Sequence, residues 1–212
     1  MTSATALGAL QRLRVPVITT SDASSVLGVS VSAASHLLRR LASAGLVRPI
    51  RKGVWALGET VDPLTIVESV SAPYPSYVSL QTALHLHGMI EQIPESVYAV
   101  TLGRSARVKT AVGSFSLHHV APGFFDGFDV LPSGMKLATP EKALVDAFYL
   151  SATRTRLFAR LPEVELPRGF SWARAREWVG RIPSARLQQM ASMRMESLRS
   201  SPRRQRSRQR GQ

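Results

Sequence analysis

Apolar positions in the first sixty residues fall into short helical blocks separated by chain breakers. Leu7, Leu10 and Leu13 lie at helical spacing and predict a first helix over 4–13. Arg14-Val15-Pro16-Val17-Ile18 interrupts it and is expected to run extended, because a residue before proline is kept out of the helical region. In Thr19-Thr20-Ser21-Asp22 a hydroxyl can cap a second helix, and Asp22 suits its electropositive first turn. That helix, 22–27, is short; Gly28 stops it, and Gly28-Val29-Ser30 turns tightly. Ser30 caps a longer helix over 31–44, closed by Gly45. Val31, Ala34, Leu38 and Leu41 form its expected core stripe, widened by Leu37 and Ala42, which leaves Ser32, Ala33, Ser35, His36, Arg39 and Arg40 outside. From Leu46 to Leu57 two short strands flank a turn at Arg51-Lys52-Gly53, with Val54 and Trp55 anchoring the hairpin to the helices.

A helix, a glycine-containing turn, a second helix and then a hairpin is the order of a winged helix-turn-helix, here over residues 1–60. In that arrangement the second helix enters a DNA major groove. Small residues at its start (Ser32, Ala33, Ser35) permit close approach, while His36, Arg39 and Arg40 reach base edges or phosphates. Arg51 and Lys52 at the hairpin tip face the phosphate backbone. The expected DNA-binding set is therefore Ser32, Ala33, Ser35, His36, Arg39, Arg40, Arg51 and Lys52. A winged helix used only for protein contacts would favour a neutral or acidic outer face; here cations occupy both the helix and the hairpin tip.

The second domain is expected over 61–198, with the boundary near 57–61. Asp62-Pro63 opens a helix running to about Val70, and Ser71-Ala72-Pro73-Tyr74-Pro75 forms a stiff linker. Leu80, Ala83, Leu84 and His87 align on a helix ended by Gly88. Strands are expected at 96–101, 113–120 and 135–138, with 104–109 a basic connection. Thr139-Pro140-Glu141 supplies a cap, a first-position proline and an acid for a helix to Leu150 that turns Leu144, Ala147 and Phe148 inward. Two further helices follow, 171–180 with Trp172, Ala175 and Val179 inward, and 185–198 with Leu187, Met190, Ala191 and Met195. Residues 199–212 form an arginine-rich tail expected to be disordered alone. The expected fold class is α+β: a winged helix-turn-helix, a mixed α/β domain and a basic tail.

Composition narrows the function classes. With 44 % hydrophobic residues in 212, a substantial core can form. The absence of cysteine excludes disulfides, thiolate catalysis and cysteine-type zinc sites, and fits a reducing cytoplasm. The uncharged start is not read as a signal peptide and no apolar run is long enough to span a membrane, so a soluble cytoplasmic protein without membrane partners is expected. The net charge of +13 is unevenly spread: about +5 over 1–60, −3 over 61–150 and +11 over 151–212. Basic ends around a mildly acidic middle point to a polyanion at the ends and a different role between them.

Catalytic chemistry is weakly represented. His85 and His87 stand two apart and cannot share a helix face, and adjacent His118 and His119 point to opposite sides of a strand, so no metal is expected. Gly113-Ser114 with Asp126 and Asp129 only faintly echoes a nucleotidyltransferase, because the aspartates are spaced Asp-x-x-Asp and a third carboxylate is missing; 121–129 reads as a polar loop. Ser114 and His118 lack an orienting acid. The chain is read as a non-enzyme without cofactors.

The order of several segments nevertheless resembles a known family. After the hairpin come Tyr74-Pro75-Ser76-Tyr77-Val78-Ser79-Leu80, Ala83-Leu84-His85-Leu86-His87-Gly88, Ile93-Pro94, Val97-Tyr98 and Ala138-Thr139-Pro140-Glu141-Lys142-Ala143-Leu144-Val145-Asp146. Over residues 15–150 this order resembles the AbiEi family, antitoxins of bacterial phage-defence toxin–antitoxin pairs. The resemblance implies a winged helix that represses its own operon at operator DNA with repeated half-sites. It also implies a C-terminal region that counters a nucleotidyltransferase-like toxin without requiring a stable complex. The alternative from the residues alone is a winged-helix transcriptional regulator whose second domain senses a ligand or mediates oligomerisation.

Overall fold

The computed structural model describes residues 2–58, 60–152 and 163–200, and its architecture is α+β. Helix α1 (Ser3–Gln11) ends two residues earlier than its apolar spacing predicts, and Arg14 turns through the left-handed region at φ 53°. Val17–Thr19, expected only as an extended lead-in, is a strand, β1. Helices α2 (Thr20–Leu27) and α3 (Val31–Ser43) and the hairpin strands β2 (Val47–Arg51) and β3 (Val54–Leu57) follow. The three strands form an antiparallel sheet in the order β1-β3-β2, with Ile18 opposite Trp55.

That small sheet is covered on both sides. Ile18, Val47 and Trp55 face Leu10, Ala23, Ala34, Leu38 and Leu41 of the helices. On the opposite pleat, Ile50, Val54 and Ala56 enter a second apolar cluster with Ile66, Val67, Val70, Val78, Ala99, Phe115 and Leu117. Residue 60, near which a division is expected, lies between β3 and the 3₁₀ turn Pro63–Ile66, and apolar contact continues across that point. Burying side chains such as Ile50 and Val54 contributes about 1.5–3 kcal/mol each, so the hairpin is held from behind as well as by its own helices.

After the 3₁₀ turn comes α4 (Val67–Ser71), shorter than the helix expected from Asp62 to Val70. The second sheet has six strands: β4 (Ser76–Val78), β5 (Val97–Thr101), β6 (Ala106–Lys109), β7 (Ser114–His119), β8 (Phe128–Val130) and β9 (Lys136–Ala138), in the order β6-β7-β5-β4-β9-β8. The pairs β5–β7 and β4–β9 are parallel and the others antiparallel. One face carries Val78, Ala99, Phe115 and Leu117 toward α4 and the hairpin. The other carries Tyr77, Val100 and Ala138 toward α5 (Leu80–Leu86), α6 (Pro140–Ser151), α7 (Trp172–Gly180) and α8 (Ala185–Ser200).

Strands β4, β6 and β8 correct the sequence reading. Ser76–Val78, for which no strand is expected, pairs into the sheet ahead of the helix, the basic connection contains an edge strand, and the polar loop at 121–129 contains both a 3₁₀ turn (Pro122–Phe124) and the start of β8. Helix α6 is more enclosed than an amphipathic reading suggests: Leu144, Ala147 and Phe148 are buried, and so are Glu141, Lys142 and Asp146. Ala175 and Val179 of α7 and Ala191 and Met195 of α8 are buried, with Trp172 and Leu187 packed beside them. Arg199 and Ser200 close α8; the rest of the expected tail lies outside the described residues.

Candidate nucleic-acid interface

Local hydroxyl chemistry sets the two helices of the N-terminal domain. Thr19 Oγ1 accepts from the Asp22 amide at 3.1 Å while Asp22 Oδ2 accepts from the Thr19 amide at 2.8 Å, a reciprocal cap that satisfies two helix-end donors. Gly28 ends α2 at φ 62°, the left-handed conformation that glycine adopts without steric cost. The turn is braced by Ser24 Oγ donating to the Val29 carbonyl at 2.6 Å. Ser30 then caps α3 by accepting from the Ala33 amide at 3.2 Å. Across the domain, Trp55 Nε1 donates to Thr20 Oγ1 at 3.0 Å, fastening the start of α2 to β3.

Ala34, Leu38 and Leu41 bury the inner side of α3. Ser32, Ala33, His36, Arg39 and Arg40 are exposed and Ser35 is half-buried. No Asp or Glu lies on α3; the nearby Asp22 is occupied by its cap, so the outer side of this helix is uniformly neutral to positive. Val31 departs from the expected core stripe. It stands 56 % exposed at the first helical position, where the helix end overhangs the core that Ala34 begins.

The hairpin brings Lys52 to the turn, exposed. Arg51 is the last residue of β2, and its Nη1 donates to the Ala72 carbonyl at 2.9 Å, a partner from beyond the hairpin. Arg48 reaches the Ala111 carbonyl at 3.5 Å in the same direction. The structure therefore brings the α3 candidates together on one surface, with Lys52 at the hairpin turn, and divides Arg51 between that turn and the second domain.

The family-like segments of the second domain meet in its core. Lys142 and Asp146, one turn apart on α6, are both fully buried and ion-paired. Tyr77 of β4 takes a hydrogen bond from Lys142 Nζ at 2.7 Å and donates to Asp146 Oδ2 at 3.0 Å; Ser79 Oγ donates to the same oxygen at 2.6 Å. The Lys142 ammonium sits 3.9 Å from the centroid of the Phe124 ring. Burial pushes Lys142 down and Asp146 and Tyr77 up, against the mutual attraction of the pair. Gly127, at φ 79°, lies under this cluster; a Cβ there would come within 2.5 Å of the Trp178 ring and 3.0 Å of Lys142 Cγ. In the sequence Tyr77 and Ser79 stand in one segment and Lys142 and Asp146 in another, and nothing in either announces their contact. The available signal was a cation and an acid at i and i+4 inside an otherwise apolar helix.

The histidines and aspartates considered for catalysis are dispersed. His87 Nε2 lies 2.7 Å from the Ala138 carbonyl, and His119 Nδ1 lies 3.0 Å from that of Gly103. His118 is buried, 2.9 Å from Ser116 Oγ and stacked near Tyr98, and burial together with the neighbouring Arg107 lowers its pKa to about 4. Asp126 accepts from Arg181 at 3.4 Å. Asp129 is on β8 and Ser114 on β7, with three strands of the sheet between them. At about 4.8 Å per strand that places them too far apart to share one ion.

No curated protein matches the chain. Residues 7–58, from within α1 to just past the hairpin, match the family model described as "Transcriptional regulator, AbiEi antitoxin", a regulatory family and not an enzyme family. Among the described residues no helix is long and apolar enough to cross a membrane. Residues 7–58 of this chain are thus similar to the AbiEi antitoxin family of transcriptional regulators.

Proposed function

We propose that this chain is the antitoxin of a bacterial toxin–antitoxin pair, that it represses its own operon through the winged helix, and that residues beyond the hairpin counter a nucleotidyltransferase-type toxin in the cytoplasm. The observation that carries the reading is the acid-free outer surface of α3, together with the exposed cation Lys52 at the hairpin turn, within a segment matched to a regulator family. Ser32, Ala33, Ser35 and His36 enter the major groove, Arg39 and Arg40 reach base edges and phosphates, and Lys52 with the free part of Arg51 holds the backbone. The second domain holds the hairpin from behind and carries the antitoxin role.

The test is growth rescue by the full chain, expressed with the toxin encoded beside it from a promoter that the chain cannot repress. Rescue is expected from the unaltered chain and equally from a His36→Ala, Arg39→Ala variant that no longer holds the operator. Absence of rescue by the unaltered chain would remove the antitoxin half of the proposal and leave a regulator alone. Loss of rescue with the α3 variant would show that the two roles share one surface.

A further inference from the structure

Charge attraction to phosphate uses the arginines of α3 but gives no role to Val31, its largest exposed aliphatic side chain. Val31 is 56 % exposed, whereas Leu38 and Leu41 of the same helix are fully buried. An isolated exposed valine is ordinary on a protein surface; the position of this one is not. It directly precedes Ser32, stands one turn before Ser35, and leads along the same flank to Arg39 at i+8. His36 follows Ser32 at i+4; Val31, in line with the buried Ala34 (i+3) and Leu38 (i+7), is exposed next to Ser32 because the helix begins there. The absence of acid on α3 and the exposed Arg39 and Arg40 favour an anionic partner, and Val31 is matched by one that also offers an apolar point beside polar ones. The major groove of duplex DNA supplies both, since thymine projects a C5 methyl there beside its hydrogen-bonding edge.

We propose that Val31 reads a thymine methyl in the bound DNA, with Ser32 and His36 hydrogen-bonding to neighbouring base edges. The inference rests on the DNA-binding reading above and names a specificity residue within it. Val31 sets preference for thymine at one base step; the arginines and Lys52 supply strength that does not depend on sequence.

The experiment uses the full chain to select bound duplexes from a random-sequence pool, then replaces each thymine of the enriched site singly by deoxyuridine, which removes only the methyl. The expected result is one position where uracil weakens binding about fourfold, the effect of withdrawing one methyl-sized group from contact. At that position the replacement should leave a Val31→Ser variant unchanged. Val31 is exposed, so this variant keeps the fold, and a Val31→Thr variant with one remaining methyl should retain part of the uracil effect. If every uracil replacement acts alike on the unaltered chain and on Val31→Ser, the contact is refuted while DNA binding stands. If the pool yields no enriched sequence, sequence-specific DNA reading fails, and the Val31 contact with it.

Discussion

At the residue scale, the demanding choice in this sequence is a lysine and an aspartate placed without water contact inside α6. Removing two charges from water costs several kcal/mol each, and the pair repays this only with good geometry and further hydrogen bonds. Tyr77 and Ser79 supply those bonds. The cluster therefore fixes where α6 sits on β4 more than it adds net stability. Lys142→Met should lower the unfolding free energy by about 3–5 kcal/mol, because it leaves Asp146 buried and unpaired; the double change Lys142→Met with Asp146→Leu should recover most of the loss. Urea unfolding midpoints of the two variants check this, and equal losses would refute the pairing argument. His118 makes a separate prediction. Its pKa in the folded chain, about 4, lies below the ordinary value of 6.5, so the unfolded chain binds the proton more readily. Stability is then complete above about pH 6.5 and declines as pH falls toward 4, by on the order of 3 kcal/mol in all. A His118→Gln variant should lose that slope in unfolding measurements between pH 4 and 6.5.

At the element scale, the hairpin belongs to two cores. Ile50→Ala should cost about 2–5 kcal/mol, and amide exchange should quicken in β5 and β7 as well as in β3. Quickening confined to residues 2–58 would mean that the winged helix is independent of the sheet behind it. The same element shows what the sequence could disclose. Helix starts were legible because their caps are local: Thr19 with Asp22, Ser30 with Ala33, Thr139 with Lys142 and Ser171 with Arg174 are all contacts three residues apart. Strands β5, β7 and β9 showed as β-prone runs. Strands β1, β4, β6 and β8 did not, because each is defined by its partners: β4 pairs with residues near 100 and near 137, which nothing in Ser76–Val78 announces. The bond from Arg51 to the Ala72 carbonyl is not legible in the hairpin, because its partner comes from outside it. Val31 was placed in the core because helical periodicity cannot show where the underlying layer ends.

At the scale of the whole molecule, the layers run from the helices of the winged domain through its small sheet to α4 and the six-stranded sheet, and then to helices α5–α8. The acid-free surface of α3 lies on the outermost of these layers, and the Lys142–Asp146 cluster lies between the large sheet and the last. Affinity of the full chain for the DNA upstream of its own coding sequence, measured across salt concentrations and against a scrambled duplex, addresses this arrangement directly. If about five phosphates are neutralised, log affinity should fall with log salt at a slope of about −4 to −5. Lys52→Ala should reduce that slope by about one without altering the preference for the operator, whereas His36→Ala should shrink the preference and largely keep the slope. A chain that binds operator and scrambled duplex equally, or whose preference is untouched by changes on α3, would contradict the assignment of this surface to DNA.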